Sequence, residues 1–169
     1  MPRRRTLVQT FALVPVLALG ACGFRLRQAP QMAFERLFLD ATAASALGGE
    51  LRRALAEVPG LALRTAAAER ADSDAILEVS RETREQVAVG LNISGQVREY
   101  ELRLTLVFRL QTPKGRILIA DTELQQRREL SYTETTALAK EAEQALLFAS
   151  MQRDLARQVV QRLAAVRLS

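Results

Sequence analysis

The chain holds one cysteine, Cys22, two lysines, Lys114 and Lys140, and no histidine. Without histidine there is no His-based metal cluster, no Ser-His-Asp or Cys-His nucleophile, and no side chain whose unperturbed pKa lies near neutrality. Most hydrolase chemistries are thereby removed. The one thiol stands in Leu19-Gly20-Ala21-Cys22, an aliphatic residue, two small ones and then Cys, the order of a bacterial lipobox. Small residues let a peptidase reach the bond before Cys22, and the thiol is the nucleophile that takes up a diacylglyceryl group as a thioether. Lipid on Cys22 also accounts for an odd thiol in an exported chain.

The residues before it fit that chemistry. Arg3, Arg4 and Arg5 form a positive start, and Thr6 to Ala21 carries no charge, so residues 1–21 read as a lipoprotein signal peptide. A membrane-spanning helix needs about 20 apolar residues, and Arg25 and Arg27 close this run on its far side. It reads as an export signal. Cleavage before Cys22 would remove three arginines, taking 24 basic side chains to 21 against 19 acidic ones, and the net charge from +5 to +2. Arginines and glutamates alternate along the remainder, so no nucleic-acid partner is expected. Gly23 follows Cys22 where an inner-membrane retention signal would place Asp. That predicts a lipid-anchored protein of the outer membrane, facing the periplasm.

The elements that would position any site follow from periodicity. Residues 22–33, with Gly23 and Pro30 among polar side chains, suit a lipidated tether, leaving 34–169 as the folded domain. Residues 34–40 read as a first strand. Leu47, Leu51, Leu55 and Val58 then recur at helical spacing until Pro59-Gly60 stops the helix. A short strand is expected over 61–64, a polar stretch over 69–74, a long strand over 75–89 and a turn over 90–95. Tyr100, Leu102, Leu104, Leu106, Phe108 and Leu110 alternate with polar residues, which predicts a strand with one buried and one wet face. Thr112-Pro113-Lys114-Gly115 is a hairpin turn, and a further long strand returns from Arg116 to about Tyr132. From Thr136 to Val166 the period becomes helical, as one long helix or as two broken near 148–151. The order predicts an α+β two-layer sandwich: about four mostly antiparallel strands with two helices packed on one face.

Three segments together resemble a known family. They are Cys22-Gly23-Phe24-Arg25-Leu26-Arg27 at the expected mature start, Gly95-Gln96-Val97-Arg98-Glu99-Tyr100 opening the alternating strand, and Ala137-Leu138-Ala139-Lys140-Glu141-Ala142-Glu143-Gln144 opening the last helix. In this order and spacing they are similar to the lipopolysaccharide-assembly lipoproteins of the LptE, or rare lipoprotein B, family. The resemblance implies a plug inside the outer-membrane β-barrel LptD, support for that barrel's assembly, lipopolysaccharide binding, and insertion of lipopolysaccharide into the outer leaflet. The partners implied are LptD, lipopolysaccharide and, through the N-terminal lipid, the outer membrane. No cofactor and no metal is implied. Some relatives carry a basic residue just before the turn that precedes the Glu-Tyr strand; here that turn reads Asn92-Ile93-Ser94-Gly95, and Arg98 supplies the nearby charge.

The resemblance makes Lys140 the first candidate for a lipid phosphate. The alternative is a helix lysine paired with Glu143 or Gln144. Arg98, Arg127 and Arg128 would meet at one sheet end if residues 97–111 pair with 116–130, and three guanidiniums there would hold a bis-phosphorylated lipid. The alternative is a set of solvated edge charges that deter strand pairing. Tyr100 and Tyr132 fall at the same end and read as an aromatic core pair. Glu99 and Glu101, the one pair resembling catalytic carboxylates, read as a cross-strand charge ladder with Arg103. No enzyme is expected. A different class remains open, an accessory lipoprotein of an ABC-type lipid or solute transport system.

The lipobox generates one prediction. Mass spectrometry of the protein recovered from membranes should find residue 22 as an acylated N-terminus, and Cys22→Ala should yield an exported, folded but unacylated chain. An intact, unmodified Cys22 thiol in the native protein would refute the assignment.

Overall fold

The computed structural model describes residues 31–41, 45–133 and 137–167. Cys22, the lipobox and the signal segment lie outside them. The organising element is the strand β4, Val97–Gln111, whose alternation is realised: Leu102, Leu104, Leu106, Phe108 and Leu110 have no exposed surface. Each such side chain contributes about 1.5–3 kcal/mol by leaving water. β4 is flanked on both sides by antiparallel partners, β3 (Ala75–Leu91) and β5 (Ile117–Ser131). The β4–β5 turn forms as its residues dictate. Gly115 takes a positive φ of 86°, and Thr112 is bonded by the Gly115 and Arg116 amides.

Two further strands complete the sheet. β1 (Arg36–Asp40) is joined to β2 (Ala62–Arg64) through the helix α1 (Ala46–Ala56), and β1 also pairs with β3; both pairings are parallel. Parallel neighbours need a crossover rather than a tight turn, and α1 provides it. Ser45 caps α1 by accepting the Gly48 N–H at 3.1 Å. The sheet order is therefore β2-β1-β3-β4-β5, five strands and mixed, where about four mostly antiparallel ones were expected. All five strands fall in segments read as strands, the three-residue β2 within the expected 61–64; what differs is that it joins the same sheet as a fifth strand, and that both of β1's pairings are parallel. The α+β class and the two helices are as read.

The second helix, α2 (Ala137–Ala164), is continuous over 28 residues, so no break occurs near Phe148. Such a helix is ~42 Å long. Its Met151, Leu155, Val159 and Leu163 join Leu47, Leu51 and Leu55 of α1 over the β4 leucines and over Leu37, Leu39 and Leu77, so both helices share one sheet face. The opposite face is mostly polar, with half-buried Val87 and Val107 among charged residues, and at its parallel end it buries Phe38 and Ile76. There Arg70, from the connection between β2 and β3, lies over the Phe38 ring with 5.5 Å to its centroid and bonds Asp40 and Glu78. Glu78 also accepts from Arg109 Nε at 2.5 Å and Gln111 Nε2 at 2.8 Å. Burial pushes the Glu78 carboxyl up, but the Arg109 and Arg70 guanidiniums outweigh it and hold the group below its ordinary value. Asp74 is held low chiefly by its hydrogen bonds with the Arg36 side chain, 2.7 Å at the closest, aided by the Arg36 and Glu35 amides.

Two predictions follow from packing and charge. Leu104→Ala should destabilise the domain by about 2–5 kcal/mol in urea unfolding, since it empties a fully buried site. Thr105→Ala, on the wetter face, should change it by less than about 1 kcal/mol. A carboxylate whose pKa is depressed by folding contributes stability that is full above its unfolded pKa and is lost as pH falls through the folded one. Melting temperature should therefore decline below about pH 4.5, and Glu78→Gln should flatten that decline. Equal acid slopes in the two proteins would show that the Glu78 cluster contributes nothing.

Candidate functional site

At the end of the sheet remote from the chain's described N-terminus, three elements meet: the start of β4, the end of β5 and the start of α2. The β3–β4 turn that leads there is built by Asn92, whose Oδ1 accepts the Ser94 and Gln96 amides at 3.0 and 2.9 Å, while Gly95 adopts a positive φ of 78°. A residue with Cβ would be strained at that φ. Ile93 at the tip is fully exposed, and Val89 and Leu91 beside it are largely so. The Tyr132 amide donates to the Arg98 carbonyl at 2.8 Å, which extends the β4–β5 ladder past Ser131. Tyr100 and Tyr132 then meet edge to face, 5.3 Å between centroids at 78°. Tyr100 packs against the core, and both rings also line a cleft of about 190 Å³ that contains Lys140.

Lys140 sits in the first turn of α2 with only a fifth of its side chain exposed. Its Nζ donates to Glu143 at 2.8 Å and to Ser131 Oγ at 3.2 Å. The lysine is thus both paired, as the simpler reading required, and fixed at the mouth of the cleft. Arg98 stands at the same end, exposed, with its backbone tied to Tyr132.

Arg127 and Arg128 are not brought to this end. Arg128 lies opposite Leu102 and Arg127 opposite Arg103, four or five residues along the strand from Arg98, which is ~13–17 Å. Being consecutive in a strand, they also point to opposite faces. Arg128 turns under α2 and bonds Asp154 at 2.9 Å, whereas Arg127 lies on the open face and bonds Gln125 at 2.8 Å. The group of three guanidiniums therefore resolves into two exposed cations far apart, Arg98 at this end and Arg127 on the open face, and one committed to a carboxylate, Arg128. Glu101 is bound by Arg103 of its own strand rather than across strands. Among the described residues no cluster of acidic, Cys or His side chains has the make-up of a metal site, and no helix is long and apolar enough to cross a membrane.

One residue at this end escapes a reading by alternation. A bulge between Val79 and Arg81 shifts the register of β3, so that Glu82, Arg84 and Gln86 follow Leu77 and Val79 on the helix-facing side. Arg84 lies over the Phe148 ring of α2, 4.2 Å from its centroid. The only sequence signal was negative: Ser80 to Gln86 lacks the apolar alternation that a covered strand would show.

The geometry has counterparts. A family model described as lipopolysaccharide-assembly, LptE, matches residues 34–163. The solution structure of an uncharacterized lipoprotein B from Nitrosomonas europaea is 30% identical over 85% of this chain and 91% of its own, with a TM-score of 0.71. The crystal structure of the rare lipoprotein B from Shewanella oneidensis is 25% identical over 77% of this chain and 94% of its own, with a TM-score of 0.64. A minor lipoprotein from Acinetobacter baumannii, 20% identical over 82% of this chain and all of its own, has a TM-score of 0.64 and shares the fold. None of the curated proteins matches the chain in sequence.

Proposed function

The chain belongs to the LptE lipopolysaccharide-assembly family, and from that premise we propose that it is a non-catalytic subunit of lipopolysaccharide export. In this reading it is anchored in the outer membrane by lipid on Cys22, plugs the LptD β-barrel and supports the barrel's assembly. It also takes part in passing lipopolysaccharide to the outer leaflet. The observation that carries the reading is the family match over residues 34–163, which spans the whole sheet and nearly all of α2. A lipid-binding end is supported by Lys140 and Arg98, which stand at one end of the sheet beside the tyrosine pair. A phosphate met by an ammonium and a guanidinium makes charge-assisted hydrogen bonds, the strong class of polar contact. Both cations lie outside the leucine core, so this end can change charge without loss of the fold.

The test uses the full chain, tagged and purified from membranes in non-ionic detergent. A large outer-membrane barrel should copurify with it. Recovery of an inner-membrane permease or a solute-binding protein instead would favour the accessory role in an ABC-type system. Lys140→Glu combined with Arg98→Glu should weaken binding of purified lipopolysaccharide by at least about a hundredfold. Circular dichroism and barrel copurification should stay unchanged. Undiminished binding by the folded double variant would remove these residues as the lipid site.

A further inference from the structure

We propose that the cleft beside Lys140 continues along α2 as far as Arg84, and that the whole groove receives a phosphorylated sugar headgroup with one phosphate at each cation. This rests on the lipopolysaccharide-binding role proposed above and adds to it a residue and a ligand geometry. The cleft at Lys140 and the hollow beneath Arg84 and Phe148 share two wall residues, Glu141 and Gln144, and so lie side by side along the first half of α2.

Its two ends are cationic for different reasons. Lys140 is held by Ser131 and Glu143. Arg84 is held by the position of its guanidinium over the ring of Phe148, which is itself buried. A guanidinium held over a ring by cation–π attraction uses none of its five N–H donors on that contact, so they stay available to an anion. The acid nearest in sequence on the same sheet face, Glu82, is bonded to Ser45 at the start of α1. No carboxylate among the described residues pairs with Arg84. An exposed guanidinium fixed in place and without an anion is a receptor for one.

The spacing defines what fits. Arg84 is opposite Leu104 and Ala88 is opposite Tyr100, so the ends lie about four strand residues apart, ~13 Å. Phe148 and Lys140 are eight residues apart on α2, ~12 Å. The two estimates come from different elements and agree. Between the ends the walls offer Gln86, Gln144 and the Glu141 carboxylate. A carboxylate repels phosphate but accepts hydrogen bonds from hydroxyls, so the middle suits sugar rings and the ends suit phosphates. A molecule anionic at both ends and hydroxyl-rich between them matches the groove; a fatty acid or a single free phosphate does not.

The experiment measures equilibrium binding by the detergent-purified full chain of two probes, intact lipopolysaccharide and the same lipid with the phosphates removed from its sugar core. Arg84→Gln should weaken binding of the intact lipid about tenfold or more, as should Lys140→Ala, and Arg84→Lys should recover part of the loss. Against the dephosphorylated lipid Arg84→Gln should bind like the parent. An Arg84→Gln variant that equals the parent on intact lipid, while Lys140→Ala is weakened, overturns the extended groove and leaves the lipid-binding role standing. Equal loss on both probes also overturns it, because the guanidinium would then not be reading phosphate. A parent chain that binds neither probe overturns the lipid-binding role itself. Arg84→Lys keeps a cation on a long side chain beside Phe148, so a folding defect confined to Arg84→Gln is told apart from lost recognition.

Discussion

The row of β4 side chains from Leu102 to Phe108, none with any exposed surface, is the constraint on which the other elements depend. Apolar side chains on a central strand must be covered by something of matching length, and β4 is fifteen residues long. α1, with eleven residues, spans ~16 Å and covers the sheet only near β1 and its parallel neighbours. The remaining length falls to α2, which is why that helix runs unbroken for 28 residues. The difference between the two helices leaves β3 from Glu82 onward, the residue that Ser45 bonds, at the margin of α2 instead of beneath a helix. Its helix-facing residues there are Glu82, Arg84 and Gln86 in place of leucines. The groove is thus a by-product of covering one strand with two helices of unequal length.

Charge follows the same division. At the parallel end, carboxylates are saturated: Glu78 by Arg70, Arg109 and Gln111, and Asp74 by Arg36 and two amides. These bonds tie the irregular connection before β3 to the sheet, work that a short parallel pair cannot do by ladder bonds alone. The parallel end uses its charges on itself, whereas the antiparallel end pairs Lys140 with Glu143 and leaves Arg84 and Arg98 without a carboxylate among the described residues.

Most of the frame was legible because β4 and the two helices repeat their pattern over several periods. Leu102 to Leu110 at period two, and Leu47, Leu51 and Leu55 at helical spacing, admit a single burial face each. β2 was legible as a short strand over 61–64, but its parallel pairing with β1 was not, because that is set by where α1 returns the chain. At the site, Lys140 could be singled out because the sequence around it resembles a family. Its contacts with Ser131 and Glu143 could not be read, since they depend on α2 folding back over the end of β5. The grouping of Arg127 and Arg128 with Arg98 assumed an unbroken register from the 112–116 turn; irregularities between Phe108 and Gln111 move the two arginines opposite Arg103 and Leu102, and alternation sends them to opposite faces. Arg84 was hidden by the bulge at Ser80, which inverts the in-and-out order without any residue that announces it.

The two tight turns, at residues 92–96 and 112–116, bear on how the chain finds this arrangement. They join the three longest strands, so most of the sheet is made from partners that are sequence neighbours. β1 must instead meet β3 across residues 41–74. Closing that longer loop costs roughly 2 kcal/mol more conformational entropy than closing a five-residue turn. Local contacts form quickly and distant ones slowly. The meander of β3, β4 and β5 can therefore organise by itself, with its leucine row exposed until α2 arrives. That helix follows β5 in sequence, and the apolar face is shielded from unwanted association when it docks.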